Sequence, residues 1–312
     1  MAQNVDTQLL KAERIFSVEG WVCLVTGGGT GIGLMCAQAL AANGARVYIA
    51  GRRKHVLDSA AVAHSPHDGP GQIIPIGPCD VTSKADLEKL CKELESREDH
   101  LNVLVCNAGI SGPKAVPDLS DATQLRARLW EKEEPSEWDG VFRTNVTSVY
   151  FTTVAFLPLL QAASTRPAQQ QQHATASGSP RHLWMGANVI VISSMSGLMR
   201  GSQGHFSYNA AKGATVHLTK LMATEFDKTG IRVNSIAPGY FPSEMTMSDS
   251  DARGKSYLSD DIVQGKGHPI PAARAGSDEE MAQACLFLAK NRYVNGEILV
   301  VDGGVLTQVP GR

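Results

Sequence analysis

Thr26-Gly-Gly-Gly-Thr-Gly-Ile-Gly33 follows directly on the apolar run Trp21-Val-Cys-Leu-Val25 and leads into Leu34 to Asn43, which has a helical pattern. Strand, glycine-rich corner and helix in that order let backbone approach a pyrophosphate, because glycines permit a tight turn and close packing of helix on strand. The new helix offers its free N–H groups and positive dipole end to the anion. The expected cradle is Gly27, Gly29, Thr30, Gly31, Ile32 and Gly33. Its spacing, Gly27, Gly31, Gly33, is GxxxGxG rather than the GxGxxG of the general dinucleotide fingerprint.

Six further apolar runs rich in β-branched residues alternate with helix-length segments: Arg46 to Ala50, Ile73 to Ile76, Asn102 to Cys106, Asn188 to Ile192, Arg232 to Ile236 and Glu297 to Val301. Seven strands separated by helices predict an α/β fold, a single Rossmann-type domain with a doubly wound seven-stranded parallel sheet and helices on both faces. The near-continuous apolar character of the runs fits strands covered on both faces. Two segments interrupt the alternation. Residues 161–186 contain Gln169-Gln-Gln-Gln172 and read as a surface loop at the amino end of a strand rather than a partner-binding element. Residues 242–276 are polar and follow a strand on its carboxyl side, where open α/β sheets bind ligands; a substrate lid is the expectation, a merely disordered loop the alternative.

The 312 residues are 43% hydrophobic and 19% charged, ordinary for a globular α/β chain. A formal net charge of -2 provides no global field for nucleic acid or an anionic membrane surface. The six cysteines are scattered without a CxxC pair and read as reduced core residues. No apolar h-region marks residues 1–17, and no apolar stretch reaches the roughly 18 residues of a membrane span. A cytoplasmic protein acting on a small molecule is expected. No metal site is expected: His64-Ser-Pro-His67-Asp68 fits no common ligand spacing and reads as a surface loop.

At the end of the second strand, where an acidic residue would hold a ribose 2′-hydroxyl, stand Gly51, Arg52 and Arg53. A missing carboxylate and added guanidinium groups favour a 2′-phosphate, hence NADP (NADPH) over NAD. The alternative is an ordinary solvated helix start. Tyr208 and Lys212, four positions apart in a helical segment, project from one face. A free phenol has a pKa of about 10, and a neighbouring ammonium is expected to lower it, giving an acid or base usable near neutrality. Ser193-Ser-Met-Ser196 at the end of one strand supplies hydroxyls, and Cys106-Asn-Ala-Gly109 ends another.

On these motifs the chain resembles the short-chain dehydrogenase/reductase family over about residues 18–306, in the NADP-preferring branch similar to β-ketoacyl reductases of the rhamnolipid type. The resemblance implies that Asp80-Val81 contacts adenine and that Asn107-Ala108-Gly109 braces the central sheet. It implies that Asn145 holds a proton-relay water, Ser194 orients a carbonyl, Tyr208 is the acid/base, and Lys212 binds ribose and lowers the tyrosine pKa. Pro238-Gly239 with Ser243 and Thr246 resembles the segment that holds the nicotinamide carboxamide. Cys106 replaces the usual first asparagine of the bracing motif. The gap from Ser194 to Tyr208 is one residue longer than the pattern, which leaves Ser196 as a second candidate for the serine role. The implied activity is NADPH-dependent reduction of a ketone, β-ketoacyl or secondary-metabolite in type, to a secondary alcohol. The alternative is a non-redox NADP-binding member: an isomerase, cyclase or binding protein. A homodimer or homotetramer is implied by the same resemblance.

Overall fold

The computed structural model describes residues 7–165, 186–247, 250–251, 253–265 and 269–309. The apolar runs form seven strands: β1 (Val22–Thr26), β2 (Arg46–Ala50), β3 (Gln72–Ile76), β4 (Val103–Cys106), β5 (Ala187–Ile192), β6 (Ile231–Pro238) and β7 (Ile298–Val301). All pair in parallel, in the order β3-β2-β1-β4-β5-β6-β7. The order turns back on itself between β1 and β4, and a crevice opens at the carboxyl ends of those strands.

Helices cover both faces: α1 (Gly31–Ala42), α2 (Lys54–His64), α3 (Lys84–Glu95), α4 (Ala122–Lys132), α5 (Pro135–Phe142), α6 (Ser148–Ala155), α7 (Leu157–Thr165), α8 (Phe206–Glu225), α9 (Glu244–Met247), α10 (Asp260–Gln264) and α11 (Asp278–Lys290). A π-helical turn, Arg143–Thr147, joins α5 to α6. Successive residues of β1 point to opposite faces. Cys23 and Val25 pack with Leu34, Leu40 and Leu57 of α1 and α2 and with Met281 and Leu288 of α11. Val22 and Leu24 join the other layer, with Leu87, Leu90, Phe156, Leu160 and Met222.

The expected doubly wound sheet is therefore present, strand for strand. The expected loop 161–186 needs a correction at its start, because α7 continues to Thr165 with Leu160 and Ala163 buried against the sheet. The glutamine run lies outside the described residues, as do residues 166–185 as a whole. His64 is also not a loop residue. It ends α2, its Nδ1 accepts from Gln38 Nε2 at 3.0 Å, and its Nε2 donates to the Arg253 carbonyl at 2.6 Å. No single helix among the described residues is long and apolar enough to cross a membrane.

Candidate active site

The crevice is a cavity of about 730 Å³ that runs from Arg52 and Arg53 at one end, past the glycine turn, to Ser194, Tyr208 and Lys212. The glycine turn is shaped by its neighbours. Gly27 has φ +63°, and Asn107 Nδ2 donates to the carbonyls of Thr26 and Gly27 at 3.0 and 3.1 Å. A Cβ at Gly33 would overlap the Gly27 carbonyl and the Asn107 amide, so α1 can start this close to β1 only with glycine there. Thr26 Oγ1 accepts from the N–H groups of Asn107 and Ala108, tying the ends of β1 and β4 together. Thr30, the N-cap of α1, makes no side-chain cap bond. The first turn of α1 thus faces the cavity as a donor surface for an anion.

Gly27, Gly29, Thr30, Gly31 and Ile32 line the cavity, and Gly33 lies just behind them as packing. Arg52, Arg53, Asp80 and Val81 form the far end, where β2 and β3 stop. Asp80 Oδ1 accepts from Thr82 N and Thr82 Oγ1 at 2.9 and 2.8 Å. The Thr82 backbone bond, with the charge of Arg52 adding to it, holds this carboxyl below the usual range. Asn107, Ala108 and Gly109 form one wall, and Pro238, Gly239, Ser243 and Thr246 the other. Ser243 and Thr246 hold each other: Ser243 N donates to Thr246 Oγ1 at 3.0 Å, and Thr246 Oγ1 donates to the Phe241 carbonyl at 3.0 Å.

At the opposite end Ser194 caps the short 3-10 turn Met195–Gly197, and its Oγ accepts from Ser196 N at 3.1 Å. Ser194 also hydrogen-bonds Tyr208, whereas the Ser196 hydroxyl donates to Gln203 Oε1 at 3.3 Å. The serine beside the tyrosine is thus Ser194. Gly197 makes this possible, since a Cβ there would come within 2.5 Å of the Lys212 carbonyl carbon and push the turn off α8. Lys212 is buried, donates to the Ile192 carbonyl at 2.7 Å and lies 5.6 Å from the centre of the Tyr208 ring.

The electrostatics correct one expectation. Burial pushes the Tyr208 hydroxyl up to about 12, with the Ser194 bond pulling the other way, and burial pulls Lys212 down to about 8. The expected lowering of the tyrosine by the lysine does not set its value: desolvation of the phenolate is the largest effect, and the bond that opposes it comes from Ser194, while Lys212 donates to the Ile192 carbonyl. Near neutrality Tyr208 is a neutral phenol, able to donate a proton.

Asn145 stands apart from the other expected residues. It is buried in the π-helical turn and does not line the cavity. Its amide closes a two-bond ring with Ile110, accepting from Ile110 N at 2.9 Å and donating to Ile110 O at 2.8 Å. Its carbonyl accepts from Thr215 Oγ1 at 2.9 Å. π-Turns inside α-helices recur at functional sites, and this one sets Asn145 between the β4 wall and α8. Cys106, buried with its thiol 3.8 Å from Thr153 Oγ1 and pushed up to about 12 by burial, fills core space below the same wall.

Several lining residues carry no motif in the sequence. Gln203 Nε2 donates to the Tyr240 hydroxyl at 2.8 Å across the tyrosine end, where Ser111, Lys114, His205 and Asn209 also line the cavity. The only signals for them are position: Tyr240 follows Gly239 at the end of β6, and Gln203 lies between Ser194 and Tyr208. The start of the expected lid, residues 243–246, lies beside the glycine turn and Arg53, and Gly31 N donates to the Gly254 carbonyl at 3.4 Å. These contacts place the described part of this segment against the cradle, α1 and Arg53.

The chain that places a glycine turn, a serine, a tyrosine and a lysine along one crevice of a parallel sheet is similar to known proteins over nearly its whole length. A family model described as enoyl-(acyl carrier protein) reductase matches residues 27–306. A short-chain dehydrogenase/reductase of Diaporthe leptostromiformis, PhomF, is 38% identical, covering 99% of this chain and 99% of its own. The rhamnolipids biosynthesis 3-oxoacyl-[acyl-carrier-protein] reductase of Pseudomonas aeruginosa is 32% identical over 93% of this chain and 97% of its own. The solved Pseudomonas aeruginosa RhlG/NADP active-site complex superposes with a TM-score of 0.70 at 33% identity, covering 93% and 98% of the two chains. The chain belongs to the short-chain dehydrogenase/reductase family.

Proposed function

We propose that the protein is an NADPH-dependent reductase that converts a ketone, of β-ketoacyl or secondary-metabolite type, to a secondary alcohol. The observation that carries this reading is the convergence of Ser194, Tyr208 and Lys212 at one end of a cavity whose other end holds Arg52 and Arg53. The cavity fits the cofactor. Its glycines bring backbone to the position of a pyrophosphate, the first turn of α1 offers N–H groups, and the two arginines suit a 2′-phosphate. Relatives of this chain include a 3-oxoacyl reductase and a structure complexed with NADP, which supports both the reaction class and the nucleotide.

NADPH, when bound, supplies the hydride to the carbonyl carbon. Ser194 donates a hydrogen bond to the substrate oxygen and fixes its direction. Tyr208, kept protonated by burial, transfers its proton to that oxygen as negative charge develops on it. Lys212 stabilises the resulting phenolate with its charge, anchored from beneath by the Ile192 carbonyl. Asn145 acts by position, holding Ile110 and the β4 wall against α8. Residues 242–276 act as the cover of the crevice, and the protein works in the cytoplasm as a homodimer or homotetramer. No feature of the cavity favours the non-redox alternative.

The test is NADPH oxidation followed with a panel of β-keto thioesters and cyclic or aromatic ketones. Turnover with one of them, lost in Tyr208→Phe, is expected. A panel that leaves NADPH unoxidised, or a Tyr208→Phe variant with full turnover, overturns the assignment.

A further inference from the structure

Arg53 closes the nucleotide end of the cavity, and it is already engaged there by a carboxylate from a residue far away in the chain. Arg53 Nη2 donates to Glu244 Oε2 at 2.7 Å across 191 residues of sequence. The other carboxylate oxygen of Glu244 accepts from Ser250 Oγ at 2.8 Å. Glu244 is held in place from its own backbone as well. It opens α9 directly after Ser243, and a Cβ at Gly31 would come within 2.9 Å of the Ser243 Cβ, so this stretch is seated on the cradle itself. The Arg53 bond keeps the Glu244 carboxyl below the usual range, and it is ionised at neutral pH.

A carboxylate on a guanidinium presents the same chemistry as a phosphate: two or more acceptor oxygens and negative charge directed at the same planar donors. Arg53 cannot give its best donors to both anions. A phosphate near Glu244 also meets a like charge, screened by solvent at this half-exposed position but not removed. We propose that Glu244 is a specificity-determining residue of the nucleotide site. It competes with the 2′-phosphate for Arg53 and holds the preference for NADPH over NADH below what the two arginines alone would give. The inference rests on the reading that Arg53 is the 2′-phosphate ligand.

The experiment is direct binding of NADPH and of NADH to the full-length protein, by nicotinamide fluorescence, in wild type, Glu244→Gln and Arg53→Ala. Glu244→Gln keeps the shape and removes the charge. It is expected to tighten NADPH by about fivefold while NADH changes by less than about twofold, with the gain shrinking at raised ionic strength. NADH serves as the internal control for folding, since a general disturbance of α9 would move both nucleotides. Unchanged or weaker NADPH binding in Glu244→Gln overturns the competition; a weaker one would make Glu244 a buttress of Arg53. Arg53→Ala separates the two levels. If it removes the NADPH preference while Glu244→Gln does nothing, the competition alone fails. If it leaves the preference intact, the assignment of Arg53 fails and the inference falls with it.

Discussion

Lys212 donates its Nζ proton to the carbonyl oxygen of Ile192 at 2.7 Å, so the ammonium beneath Tyr208 is held by the last residue of β5 and not by a carboxylate. A buried charge partnered by a neutral carbonyl and an aromatic ring, without a counter-ion among the described contacts, costs stability that a functional site retains for its chemistry.

That cost is measurable. Burial lowers Lys212 to about 8 in the folded chain, below its ordinary value of 10.5. The unfolded chain therefore binds more protons between those pH values, and the penalty is full below pH 8 and disappears as pH rises to 10.5. Lys212→Met is expected to be inactive yet more stable at neutral pH, by about 1–2 kcal/mol after the lost Ile192 bond is discounted. Urea melts at several pH values check this, and the advantage of the variant should shrink on the alkaline side.

The reaction itself should carry a related pH signature. Tyr208 stays protonated to about 12, so loss of the Lys212 charge sets the alkaline limit. The rate of reduction is expected to fall as pH rises through about 8, whereas Tyr208→Phe removes at least about a hundredfold of kcat at every pH. Steady-state kinetics with saturating NADPH distinguish the two.

Gly197→Ala tests the packing that brings Ser194 to Tyr208. The added methyl would come within 2.5 Å of the Lys212 carbonyl carbon, displacing the Met195–Gly197 turn and the serine that caps it. A fall in kcat with nucleotide affinity retained is expected. Gly33→Ala should do the reverse: its methyl would overlap the Gly27 carbonyl and separate α1 from β1, weakening nucleotide binding and costing about 1–3 kcal/mol of stability. Titration with NADPH and thermal melts separate these outcomes.

Asn145→Ala leaves both the N–H and the carbonyl of Ile110 without their partner in the half-buried cavity wall. The expected cost is about 1–2 kcal/mol of stability, with kcat reduced more than NADPH affinity. A variant as stable and as active as wild type would show that the Asn145–Ile110 ring is incidental.

β1 and β4 are legible because central parallel strands buried on both faces need near-continuous apolar runs, and β6 is legible despite the buried Arg232, Asn234 and Ser235 because Ile231, Val233 and Ile236 keep the apolar pattern. The cradle was legible for a similar reason, since only glycine tolerates the approach of the Gly27 carbonyl to the start of α1. The end of α7 is not legible in the sequence, because a helix-compatible stretch up to Thr165 borders a polar tract and only the burial of Ala163 and Ser164 marks it as packed helix.

By itself the sequence determined which backbone elements form, and which residue types stand at the carboxyl ends of the strands: the glycines after β1, the arginines after β2, the serines after β5, and Tyr208 and Lys212 four apart on one helix. Only the tertiary structure decided which side chains meet. It selected Ser194 over Ser196, turned Asn145 toward Ile110 and away from the cavity, and raised the Tyr208 pKa where proximity to a lysine alone predicts lowering. It also laid Glu244 on Arg53 across 191 residues. Local propensity depends on neighbours in the chain, which a sequence displays. Desolvation and ion pairing depend on neighbours in space, which only the folded chain supplies.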